Sequence, residues 1–176
     1  DSAIKGNTRY GVIDGNVLVS PQFGNDITLA PIGGRIHIGL PQLASLRNFF
    51  PVGKPVRGKL KGEAVISGRV GQPLLNGTLN GENLYYRGQD TGVILDNGTL
   101  RSRLQGQSWI IDGLTFRRGD GNVTLRGNVA LQGSEPDVNV NAIFTRYRVV
   151  DKPNRRLTLS GTSSLLYSPS TGVTLT

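Results

Sequence analysis

The sequence predicts an all-β fold, and three observations carry the prediction. In "GDGNVTLRGNVALQGSEPDVNVNA", residues 119–142, Val123, Leu125, Val129 and Leu131 keep one phase while Thr124, Arg126, Asn128 and Gln132 keep the other. That alternation gives a strand one apolar and one polar face. The 25 glycines and 9 prolines punctuate short runs of Val, Ile, Leu and Thr, which is strand and turn chemistry. Finally, "NGTL" at 76–79 recurs at 97–100, with looser echoes "NVTL" at 122–125 and "RLTL" at 156–159. Each unit lies near a glycine, as successive strands of one meandering sheet with Gly-rich turns and bulges would.

With 176 residues the chain accommodates a single domain over 1–176, or one sheet of about ten strands. Its first third predicts two hairpins. "RYGVIDGNVLV" suggests a turn around Asp14-Gly15, and "DITLAPIGGRIHIGL" another around Gly33-Gly34, with Ile27 and Leu29 before the turn and Ile36, Ile38 and Leu40 after it. "PQLASLRNFFP" places Leu43, Leu46, Phe49 and Phe50 at helical spacing between two prolines, which predicts one short helix near residues 42–50. Its apolar stripe would plug or cover one end of the sheet.

From residue 58 onward the strands repeat. Leu60, Ala64, Ile66 and Val70 share a phase, Pro73 interrupts, and Leu75 and Leu79 resume the apolar face. "GDG" at 119–121 reads as a hairpin turn, which accounts for the "RGD" at 118–120 without an adhesion receptor. Val138, Val140 and Ala142 keep one phase and Ile143, Tyr147 and Val149 the other, so a bulge is expected near Ala142-Ile143. "VDKPN" is a turn, after which Leu157, Leu159, Leu165 and Tyr167 continue the apolar face.

Composition narrows the chemistry. Cys and Met are absent and there is one His, so disulfide frameworks, zinc fingers and thiol nucleophiles are excluded, and no cofactor is expected. Lys and Arg exceed Asp and Glu by 20 to 12, a net charge of +8. Arg101, Arg103, Arg126, Arg146 and Arg148 sit singly on polar phases, and no basic run interleaves with aromatics, which argues against nucleic acid and suits a solvated basic face or anionic lipid headgroups. Phosphate-loop and dinucleotide motifs are missing. His37 has no sequence-adjacent partner, and Glu63, Glu82, Asp90, Asp96, Asp112 and Asp120 are scattered, so the chain reads as a non-enzyme. Asn76, Asn97 and Asn122 head weak N-x-[ST] sequons. No apolar run reaches the ~20 residues of a membrane-spanning helix. Both ends read as cuts, so the expected setting is a segment of a longer protein.

An alternating sheet must cover its apolar face with a second sheet, by curling, or with an apolar ligand. The units "GQPLLNGTLNGENLYYR" and "AIFTRYRVVDKPNRRLTLSGT" bear on that choice. They resemble the C-terminal region of the TamB family of translocation and assembly module proteins, within the AsmA-like group of bridge-type lipid-transfer proteins. The first signature rests on Gly71, Pro73, Leu75, Gly77, Leu79 and Gly81, and is shared loosely by the wider group. The second, more specific, rests on Tyr147, Arg148, Val149, Val150, Pro153, Arg156, Leu157, Ser160 and Gly161. Together they cover residues 58–163, and residues 1–50 are compatible with them.

The resemblance implies one long curved sheet folded lengthwise into an open, taco-like hydrophobic groove, in a periplasmic protein anchored in the inner membrane. It implies conduction of phospholipids toward the outer membrane, and a partnership with the TamA outer-membrane barrel in autotransporter assembly. TamA docking is expected of the full-length protein. The groove lining expected from the apolar phases is Leu60, Ile66, Leu75, Leu79, Val123, Leu125, Val129, Leu131, Val138, Val140, Leu157 and Leu159. The alternatives are a chaperone or scaffold that holds nascent outer-membrane strands by β-augmentation, and a closed barrel or sandwich with a dry core.

Overall fold

Every strand must satisfy its backbone N–H and C=O groups on both sides or present an edge. In a chain with short Gly-rich turns the simplest solution is to pair each strand with the next. The structure, a computed structural model, describes residues 2–8, 11–19, 26–43, 56–88, 91–130, 136–152, 154–168 and 172–176. Its strands are β1 (Ser2–Thr8), β2 (Gly11–Val19), β3 (Ile32–Leu40), β4 (Val56–Arg69), β5 (Gln72–Arg87), β6 (Ile94–Gly106), β7 (Ser108–Arg118), β8 (Gly121–Ala130), β9 (Asp137–Lys152), β10 (Arg155–Ser168) and β11 (Gly172–Leu175). They form one antiparallel sheet in chain order, with β1 and β11 as unjoined edges. The sheet is therefore open rather than a closed barrel. Arg69 pairs with Gln72, Gln105 with Ser108 and Arg118 with Gly121, so two-residue turns enforce the meander. The Gly119-Asp120 turn expected from "GDG" is one of them.

Three expectations in the first third are corrected. Asp14-Gly15 and Gly33-Gly34 are not turns; they lie inside β2 and β3. A Cβ at Gly15 would strike the Arg35 carbonyl, and one at Gly34 the Asn16 carbonyl. These glycines permit close approach of two strands, a use of glycine that sequence cannot tell from a turn. Ile27 and Leu29 are not on a strand either. Asp26 accepts from Thr28 N at 3.0 Å and Thr28 Oγ1 at 2.6 Å, which winds residues 27–29 into one 3₁₀ turn and leaves both apolar side chains exposed. Val70 N and Gly71 N then bond Ala30 O and Thr28 O, docking the turn onto the β4–β5 hairpin. The helix expected over 42–50 lies outside the described residues apart from Gln42 and Leu43, of which Leu43 is buried.

The sheet curls toward its apolar face, and β9 shows how. Tyr147, fully buried at 0% exposure, packs against Phe116 of β7 and Val123 of β8, with Leu84, Leu95, Leu114, Leu125, Phe144 and Val149 around them. Its hydroxyl donates to Ile94 O and accepts from Asp96 N, both at 3.2 Å, although β6 lies three strands away. Val93 and Val150 form an isolated bridge beside this contact, and Arg118 pairs with Asp151 at 2.9 Å. One end of β6–β9 is thereby folded closed.

Bulges make the fold possible there. Asn83, Asn97 and Arg146 have positive φ (52°, 47° and 44°), and all three lie at the closed end. Bulged strands bend and twist more strongly. Asparagine tolerates this region, whereas arginine is strained in it; the freed Arg146 N–H is satisfied by Ser160 Oγ at 3.0 Å. The expected bulge near Ala142-Ile143 is thus corrected to Arg146. Pairing stays regular through Leu125–Ala142 and Thr124–Ile143, then shifts between Phe144–Gly161 and Tyr147–Leu159. Ile143 consequently faces outward, 52% exposed, and Tyr147 faces inward.

Two expected outcomes test the closure. Tyr147→Phe leaves Ile94 O and Asp96 N without their side-chain partner, so urea unfolding should show a loss of about 1–3 kcal/mol. Burial raises the Tyr147 phenol above its ordinary value of 10.0, so the unfolded chain ionises first. The stability from the neutral phenol is whole below pH 10.0 and is lost as pH rises through the folded value. The wild-type minus Tyr147→Phe stability difference should shrink on that alkaline limb.

Candidate functional site

Directly opposed residues in an antiparallel ladder share a face, so the register determines what lines the inside of the curl. One row runs Ile36, Ala64, Gly77, Leu104, Trp109, Val129, Val138, Tyr167. The next runs Ile38, Gly62, Leu79, Ser102, Ile111, Gly127, Val140, Leu165. A third runs Leu40, Leu60, Gly81, Leu100, Leu114, Leu125, Ala142, Ser163. Each crosses β3 to β10, roughly 35 Å at the ordinary strand spacing. Polar side chains enter these rows only as Ser102, Ser163 and the Trp109 and Tyr167 rings.

Ser102 is buried and its hydroxyl donates to Leu79 O at 2.5 Å, so the middle row remains apolar toward the groove. Trp109 differs. Its Nε1–H is buried with no hydrogen-bond partner among the described residues, a group that costs roughly 1–3 kcal/mol to leave unmade.

The opposite face is polar and exposed. Arg35, Lys61, Glu63, Arg101, Arg103 and Arg126 alternate with the inner residues. Arg103 grips Asp112 with both Nε and Nη2, at 2.9 and 2.6 Å, and that guanidinium holds the Asp112 carboxyl below the usual carboxylate range. His37 also lies on this face, between Asp14 and Glu63 across the strands, and among the described residues no serine lines the depression of about 460 Å³ beside it. Among the described residues, no three His, Asp or Glu side chains are grouped to hold a metal ion.

Ten of the twelve expected lining residues lie on the inner face. Ile66 and Val123 are buried; Leu60, Leu75, Leu79, Leu125, Val129, Val138, Val140 and Leu159 are half-buried. Leu131 lies outside the described residues. Leu157 keeps the phase of Leu159, two residues on along β10, and is 47% exposed beside a second irregularity that leaves Val149 unpaired between Val150–Leu157 and Arg148–Thr158.

Sequence reasoning missed Leu100, Leu104, Trp109, Ile111, Leu114 and Phe116. For Leu100 and Leu104 the signal was present, as alternation with Arg101 and Arg103. On β7 it was not, because Asp112 and Gly113 together oppose Arg126 and break the two-residue period between Ile111 and Leu114. Compared with protein-family models, curated proteins and solved structures, the chain finds no match.

Paired substitutions test the assignment of faces. Val123→Ala inside should cost about 2 kcal/mol through lost burial and a residual cavity. Ile143→Ser outside should stay within about 0.5 kcal/mol of wild type. Urea denaturation of the two variants makes the comparison.

Proposed function

We propose that the inner face carries phospholipid acyl chains, and that the chain is a periplasmic segment of an inner-membrane-anchored protein of the TamB type. In this reading it moves lipid toward the outer membrane and supports outer-membrane protein assembly together with the TamA barrel. The supporting observation is the continuity of three apolar rows across β3–β10, on which no second sheet and no helix packs among the described residues.

The energetics favour such a trough. Leaving a bilayer costs an acyl chain roughly 0.8 kcal/mol per methylene, on the order of 10 kcal/mol for a dozen or more. An aliphatic surface offsets most of that, and because apolar contact is non-directional the chain slides without one fixed station. No bond is made or broken, so the role is that of a carrier rather than a catalyst.

A second reading has its own observation. On β11 Val173 and Leu175 are 68% and 71% exposed, apolar side chains against which an extended peptide strand can pack. Under that reading the protein is a chaperone or scaffold for nascent outer-membrane strands.

Trp109 is the single tryptophan, so it reports on the trough without modification. Phospholipids with brominated acyl chains should quench its emission, and Val140→Glu should weaken lipid capture at least about tenfold by placing a charge in the lining. A photo-crosslinker at Val129 should give lipid adducts, and one at outward Asn128 should not. Peptide adducts at Val129, or undiminished lipid capture by folded Val140→Glu, would favour the chaperone.

A further inference from the structure

The outer face holds an unbalanced group of arginines. Arg101 of β6, Arg117 of β7 and Arg126 of β8 line one depression of about 530 Å³, together with Thr99, Thr115, Asp112 and Gly113. The register pairs Thr99 with Thr115, Thr115 with Thr124, and Arg101 with Gly113, which places all three arginines on the face away from the trough. None of them pairs with a carboxylate among the described residues. The one acid in the depression, Asp112, is already occupied by the two-pronged contact with Arg103.

The gap between the arginines has a structural cause. Ile111 pairs with Gly127 and Leu114 with Leu125, so the bulged Asp112 and Gly113 face Arg126 on one side while Gly113 faces Arg101 on the other. Two strand spacings separate Arg101 from Arg126, roughly 10 Å, which long guanidinium side chains span from both sides. Gly113 leaves the space between them empty, since a Cβ there would meet nothing within 4 Å. Three like charges around a vacant floor repel one another until an anion neutralises them. The planar donor fork of arginine matches the oxygens of a phosphate, and the Thr99 hydroxyl adds a donor at the rim, while Thr115 Oγ1 shares a 3.1 Å hydrogen bond with Thr124 Oγ1.

We propose that this depression binds a phosphate group, presented either by a soluble phosphate ester or by the headgroup of an anionic lipid. Arg103 is a positioning residue: it withdraws Asp112 from competition with the ligand. The site is separated from the trough by the sheet itself, so it is independent of the acyl-chain reading and survives its failure.

The test is a titration of the whole chain with inorganic phosphate at constant ionic strength, followed by NMR of the arginine Nε–H groups, with chloride as control. Saturable shifts at Arg101, Arg117 and Arg126 are expected. Arg126→Gln removes a charge-assisted bond and should weaken phosphate about tenfold. Gly113→Leu retains every charge, and Gly113 is not among the positive-φ glycines, so the side chain enters without backbone strain; by filling the gap it should weaken phosphate comparably. Arg155→Gln, outside the depression, should change nothing, and Arg101→Gln replaces Arg126→Gln if circular dichroism shows the latter unfolded. Flotation with phosphatidylcholine vesicles, with and without phosphatidylglycerol, separates the sources. Capture by phosphatidylglycerol that falls in the same variants identifies a headgroup, whereas a response to inorganic phosphate alone identifies a soluble ester. Absence of saturable phosphate shifts, identical shifts with chloride, or undiminished affinity in folded Gly113→Leu would each overturn the site.

Discussion

Everything in this molecule depends on keeping register from strand to strand. Side chains alternate faces with a period of two, so a slip of one residue in any pair would send the apolar set of every later strand to the solvent side. The three inner rows hold from Ile36, Ile38 and Leu40 on β3 to Tyr167, Leu165 and Ser163 on β10 because the bulge on β7 returns the residues on either side of it to the same face. Where β7 carries the extra Asp112-Gly113, its pairs resume at Leu114–Leu125 with both residues still inside. Where β9 carries Arg146, the parity change is what turns Tyr147 inward. Short hairpins fix the register locally, and the burial of Ala64, Ile66, Leu100, Ile111 and Val123, spread over several rows, rewards it globally.

Sequence made the class and most of the lining legible, because period-two alternation over β4, β5, β6, β8 and β9 is strong and the turn at Gly119-Asp120 uses standard chemistry. It failed wherever glycine or a bulge acted for a non-local reason. Gly15 and Gly34 look like turn residues, yet each is selected by a carbonyl on the neighbouring strand. The phase change on β9 was visible between Ala142 and Ile143, but only pairing to β10 reveals that Ile143 stays outside and the extra residue is three positions later. The closed end was invisible altogether. Its decisive contact joins Tyr147 to the backbone of Ile94 and Asp96, about fifty residues earlier, and no local pattern announces such a bond.

The two faces divide the chemistry between them. Inside, aliphatic rows with one unpaired indole N–H suit a ligand held by contact area. Outside, charge is arranged rather than merely dispersed: Arg103 is spent on Asp112, and Arg118 on Asp151, which Arg148 and Arg156 also approach at 3.8 and 3.7 Å. Arg101, Arg117 and Arg126 pair with no carboxylate among the described residues. A sheet one residue thick thus keeps an oily surface and a cationic one a few ångströms apart without either perturbing the other.

The meander has a mechanical consequence. Contacts between strands that are not neighbours concentrate where β6 and β7 meet β9, and elsewhere each strand is held mainly by the one before and the one after. Stability is then distributed along the sheet much as in a chain of linked repeats, with cooperativity that decays from one strand pair to the next. Under tension the outer strands can peel away in sequence like the teeth of a zipper, while β6–β9, fastened by Tyr147 and the Arg118–Asp151 pair, behave as the clasp at which the unzipping halts.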